Sequence, residues 1–156
     1  MTDDDISNRS NYAKQLINKL KYMTLATTSY DGQPWNSPVA FAYDGELTFY
    51  WGSQLDAQHS KNIAQNNRAF IVMYDSTVEY YHGEAFYARV QCERLGDTEE
   101  LDKAMGLLHQ RVGKAYMKRD EMLGRERGVY RARVQMSWVI EQKRDIRREV
   151  HLTGSL

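Results

Sequence analysis

Residues 22–52 read "YMTLATTSYDGQPWNSPVAFAYDGELTFYWG". Apolar, β-branched and aromatic residues gather in three runs, about Lys21–Ser29, Asn36–Tyr43 and Glu46–Trp51, separated by Tyr30-Asp31-Gly32 and Asp44-Gly45. Asp-Gly between such runs is a strong hairpin signal, because both residues tolerate the positive φ of a tight turn. An antiparallel meander is expected. Along the third run Leu47, Phe49 and Trp51 share one face, and Thr48 and Tyr50 share the other.

Outward from this meander the same patterns continue. "RAFIVMYDS" (68–76) is an apolar run of strand length, and "GEAFYARVQCERLG" (83–96) is a longer alternating one. "VYRARVQMSWVIEQ" (129–142) alternates with Tyr130, Ala132, Val134, Met136, Trp138 and Ile140 to one side. Helical spacing recurs in three places. Tyr12, Leu16 and Leu20 predict a short helix capped by Ser10 or Asn11 behind a frayed opening of residues 1–10. A polar helix is expected at about Asp56–Asn66, and Leu101, Ala104, Met105, Leu108 and Val112 form an amphipathic stripe begun by Asp97 with Glu100 three residues on. Residues 113–128 read as loop with a helical turn at most.

The fold class is therefore mainly β with peripheral helices: six antiparallel strands in a closed or nearly closed small barrel, since closure removes edges. An open sheet with helices on one face is the alternative. At 156 residues the chain fits one domain, residues 11–150, with 151–156 as a tail. Twenty-one basic and 21 acidic side chains cancel, which removes any global pull toward nucleic acid or membrane. The single Cys92 cannot form an internal disulfide. With no signal or transit peptide and no membrane-length apolar run, a soluble cytoplasmic protein is expected. His59, His82, His109 and His151 have no metal-ligand or catalytic-triad spacing, so neither a metal site nor a hydrolase is expected.

Chemistry concentrates in "FYWGSQLDAQHSKNI" (49–63), where a strand end runs through Gly52-Ser53 into the polar helix. Free backbone donors and the positive end of a helix dipole suit an anion there, above all a phosphate. Ser53 adds a hydroxyl, His59 a switchable charge and Lys61 a fixed one. The competing reading is that Ser53 or Asp56 caps the helix and that His59, Ser60, Lys61 and Asn62 form its solvated face.

The order of these segments resembles the FMN-binding split-barrel family, the pyridoxamine 5'-phosphate oxidase-like proteins. The resemblance rests on T-L-A-T in the first strand, D-G-x-P after it, S-P-V in the second, and S-x(5)-H-S-K-N-I-x(2)-N-x-R-A after the third, and it covers about Tyr22–Ser76. It implies that Ser53, His59 and Lys61 hold the phosphate of FMN, with His59 where many relatives carry a lysine. It also implies that Asn36, Ser37, Pro38 and Val39 lie along the flavin edge, and that Trp51 and Gly52 border the ring and ribityl chain. For Trp51 a core position is an equal reading.

A typical pyridoxamine-phosphate oxidase ends in an arginine-containing pattern that the C-terminal "WVIEQKRDIRREVHLTGSL" lacks, so the small-molecule substrate is not implied. The resemblance implies an FMN-dependent oxidoreductase; a flavin- or haem-binding carrier or sensor and a deazaflavin-dependent reductase are the alternatives. It further implies a homodimer with flavin at the interface, covered by Trp138, Arg131 and Arg133 of the second chain. No catalytic residue is assigned. The basic excess over Arg125–Arg148 reads first as a solvated face, and Tyr80, Tyr81 and His82 as cover for the core.

Overall fold

The computed structural model describes residues 3–80, 82–113, 118–141 and 146–152. Its elements, in chain order, are α1 (Asp3–Lys19), β1 (Tyr22–Thr28), β2 (Pro34–Ala40), β3 (Ala42–Tyr43), β4 (Thr48–Gln54), α2 (Gln58–Gln65), β5 (Arg68–Tyr74), β6 (Ala85–Arg94), α3 (Glu99–Arg111), α4 (Arg119–Leu123), β7 (Arg127–Glu141) and β8 (Ile146–Glu149). The strands form one antiparallel sheet in the order β2-β1-β5-β6-β7-β4-β3, with β8 on β7. β2 and β3 stand at opposite ends of that order yet are separated in sequence only by Phe41. One continuous segment therefore touches both ends of the sheet, and the sheet must curl into a barrel that is split along β2.

The six expected strands are present, with two differences. The second breaks at Phe41 into β2 and β3, and β8 adds an eighth strand whose sequence, "IRRE", carries no apolar alternation. The inside of the barrel is filled by Met23, Leu25, Phe41, Phe49, Trp51, Ile71, Phe86 and Val90, all wholly or almost wholly buried. A second cluster lies outside the barrel under α3, where Tyr50, Leu101, Ala104, Leu108, Met122 and Val129 pack together. β4 is thus buried on both faces. Phe49 and Trp51 point in, and Tyr50 points toward α3.

The helix at the N-terminus begins at Asp3, not at Ser10 or Asn11, and its buried line is Ala13, Leu16 and Ile17. Arg111, in the last turn of α3, donates to the carbonyls of Ile17, Asn18 and Leu20 and lies 4.9 Å over the rings of both Phe41 and Tyr43. That contact satisfies orphan carbonyls at the end of α1 and ties both helices to β3. The N-cap of α3 is Thr98, not Asp97, whose carboxylate instead pairs with Arg119 at 2.6 Å.

Both meander turns form. Gly32 adopts φ 87° in the first. In the second the positive φ falls on Leu47, at 58°, because the Asp44 carboxylate accepts the N–H groups of Glu46 and Thr48 and fixes the preceding residues. The last long strand does not keep one alternation. A β-bulge shifts its register from Arg89↔Met136 to Val90↔Val134, leaving Gln135 unpaired. One extra residue reverses the facing of everything beyond it. Ser137 and Val139 consequently point inward, and Met136, Trp138 and Ile140 lie on the outer face.

Among the described residues no helix is long and apolar enough to cross a membrane, and no group of His, Cys, Asp or Glu could hold a metal ion.

Candidate functional site

β2 is exposed over most of its length, and among the described residues no strand pairs with its second edge. α2 packs against β1 and β2 beside this open edge. In the gap the His59 ring joins two strands. Its Nε2 lies 2.7 Å from Ser53 Oγ on β4, and its Nδ1 lies 3.1 Å from Ser37 Oγ on β2. Trp35 Nε1 donates to the same Ser37 oxygen at 3.0 Å. His59 is only 9% exposed, and burial lowers its pKa below the ordinary 6.5. Burial thus favours the neutral imidazole and counts against the expected switchable positive charge.

A neutral ring donates through one nitrogen and accepts through the other. The Trp35 indole can only donate, so Ser37 accepts from it. A second lone pair lets Ser37 either accept from Nδ1–H or donate to a bare Nδ1; in the second tautomer Nε2–H donates to Ser53, whose proton is then open to a further acceptor.

Ser53 does not cap α2, and neither does Asp56. The N-cap is Ala57, with no side-chain hydrogen bond, and the first turn holds no acid. Gln58 and Asn62, one turn apart, bond to each other at 2.8 Å, and Asn62 donates to Thr27 Oγ1 at 2.9 Å. They line a hollow of about 290 Å³ together with Asp31, Gln33 and Trp35. Trp35 and Gln58 belong to this neighbourhood although no sequence pattern singled them out; Asn62, read as part of a solvated face with His59 and Ser60, is buried like both of them.

The other candidates go elsewhere. Gly52 pairs with Val129 in the ladder next to Ser53. Val39 is a core residue at 7% exposure. Trp51 is fully buried and stacked on Tyr130 at 5.5 Å, a core position. Lys61 lies two residues beyond His59 on α2, points away from it and lines a different cavity with Cys92 and Tyr130.

Asn36 and Pro38 project from the outer face. Register places Pro38, Thr24, Val72, Tyr87 and Trp138 in one row across five strands. Four strand spacings of about 4.8 Å put roughly 19 Å between Pro38 and Trp138 in the same chain. Trp138 stacks on Phe70 at 6.0 Å, and Arg147 lies 4.9 Å over Tyr87. Arg131 is held by Glu93 and Glu100, and Arg133 approaches Glu100 at 3.9 Å, so neither is a spare cation on that face. Tyr80 is 91% exposed and His82 is exposed in the loop before β6, which corrects their reading as core cover; Tyr81 lies outside the described residues.

The family model for pyridoxamine 5'-phosphate oxidase matches residues 11–139. The chain belongs to the pyridoxamine 5'-phosphate oxidase family. Solved structures with the same fold include a haem-binding protein from Mycobacterium smegmatis, 20% identical with a TM-score of 0.76, covering 90% of this chain and 57% of that one. This chain thus spans little more than half of that protein. HutZ, a haem storage protein from Vibrio cholerae, is 15% identical with a TM-score of 0.71 and coverage of 92% and 97%. A FAD-binding protein from Mesorhizobium loti is 15% identical with a TM-score of 0.63 and coverage of 83% and 91%. No curated protein matches the chain. Proteins of this fold thus include haem binders and a FAD binder.

Proposed function

We propose that the chain is an FMN-dependent oxidoreductase whose cofactor lies along the open edge of β2 with its phosphate at the start of α2. The observation that carries this reading is the Trp35–Ser37–His59–Ser53 chain, which brings the Ser53 hydroxyl beside an uncapped helix start and, with the proton on His59 Nε2, leaves that hydroxyl free to donate. These groups fit a phosphate monoester through neutral donors and a helix dipole. Ser53 and the first-turn N–H groups of α2 would hold the phosphate, His59 would orient Ser53, and Asn36 with Pro38 would lie along the flavin. Bound FMN would supply the hydride or electron transfer, so that the protein's work is binding, orientation and tuning.

The site is half a site. Its outer side continues into the row that ends at Trp138, with Tyr22 and Tyr74 each more than half exposed. Two-fold pairing across that face would bring the Trp138 of a second copy toward the Pro38 edge, and closed dimers are the commonest oligomers. A cytoplasmic setting agrees with the one buried, unpaired cysteine.

A carrier of haem or flavin is the second reading, favoured by the haem-binding proteins of the same fold. Both ring nitrogens of His59 are occupied by hydroxyls, which argues against His59 as an axial ligand. The absorption spectrum of the purified protein separates the two. A flavin spectrum with FMN released on denaturation supports the proposal; a haem Soret band, or a colourless protein that takes up no FMN, overturns it.

A further inference from the structure

On the far side of α2 from Ser37 lies a cavity of about 540 Å³, between that helix and the β6–β7 pair. Its volume is that of a small-molecule site. Ile63 and Leu55 supply apolar wall, and Tyr130, braced by its stack on Trp51, supplies a rigid one. Ser60, 2% exposed, is one of the lining residues, and its buried Oγ has no hydrogen-bond partner among the described residues. A buried hydroxyl without a partner is costly, and a ligand oxygen would satisfy it.

The charge at the rim is positive. Lys61 has no ion-pair partner among the described residues, and Arg94 is held by the carbonyls of Gly124, Arg127 and Met122, which fix it without neutralising it. The neighbouring Glu93 is already paired with Arg131. Cys92 forms part of the floor, and burial pushes its thiol up to about 12, so the floor carries no charge and no nucleophile.

We propose that this cavity is a second ligand site, separate from the β2 edge, that takes a small apolar carboxylate. The hydrocarbon part sits on Ile63 and Tyr130, and the carboxylate meets Lys61 and the Ser60 hydroxyl. No bond is made or broken there.

The test is an amide-resolved NMR titration of the intact protein with benzoate, repeated with benzyl alcohol as the uncharged analogue. Saturable shifts are expected at Ser60, Ala64 and Cys92, with at least tenfold weaker binding of benzyl alcohol. Lys61→Met, at an exposed position that does not support the core, is expected to weaken benzoate tenfold or more, and Ser60→Ala by severalfold. Absence of saturable shifts, equal binding of the alcohol, or unchanged affinity in Lys61→Met would each overturn the proposal. The readout does not depend on flavin, so it stands or falls apart from the cofactor reading.

Discussion

The His59 side chain decides how the site works, because its two hydroxyl partners come from strands that do not pair with each other. Its pKa is depressed by burial, so the unfolded chain binds the proton more readily. Its contribution to stability is therefore complete above about pH 6.5 and is lost as pH falls through that value toward the folded pKa. Urea midpoints measured from pH 7 to 5 should decline, and His59→Gln should flatten that decline; an equal decline in both proteins would assign the effect to other groups. FMN affinity should stay level from pH 7 to 9 for the same reason. Asp44 presents the opposite case. Burial alone would raise its pKa, but Lys103 at 2.6 Å and the N–H groups of Thr48 and Glu46 hold it below the ordinary carboxylate value. Its stabilisation is thus present above about pH 4 and lost in stronger acid. Asp44→Ala leaves the N–H groups of Glu46 and Thr48 without their acceptor and removes the partner of Lys103, while the Tyr50 hydroxyl keeps Glu100, and should cost about 2–4 kcal/mol by denaturant titration. Sequence reading found Ser37, Ser53 and His59 individually through motif position. It could not find their mutual bonding, which depends on a barrel closure that no local pattern encodes.

At the scale of elements, the meander was legible because its Asp-Gly turns and apolar runs are local signals, and both hairpins formed where they were expected. The last strand was legible as a strand but not in its facing. Nothing in "RARVQMSWVIE" marks Gln135 as the extra residue, since a bulge is imposed by the neighbouring β6 register. The inversion is measurable. Val139→Ala, at 2% exposure, should lower stability by about 2 kcal/mol, whereas Ile140→Ala on the outer face should cost under about 1 kcal/mol. The reverse order would mean that the alternation runs unbroken from Tyr130. α2 was also placed correctly, within two residues at its start. Its division of labour was not: His59 faces the barrel split and Lys61 faces the cavity over Cys92, because residues two apart on a helix point nearly opposite ways.

For the whole molecule, a curled sheet split along β2 leaves that strand's edge open and an outer face that carries Trp138, and the proposed cofactor and dimer use both. Trp138→Asp should convert a dimer to a monomer by light scattering while leaving the barrel folded, because that side chain lies outside the core; dimers of unchanged mass would remove the outer face as the interface. The most direct test of the central claim compares FMN with riboflavin, which differ only in the phosphate assigned to Ser53 and the start of α2. In a fluorescence titration FMN should bind saturably, riboflavin at least tenfold more weakly, and Ser53→Ala should narrow that gap. Equal affinity for the two flavins, or binding of neither, would contradict the account.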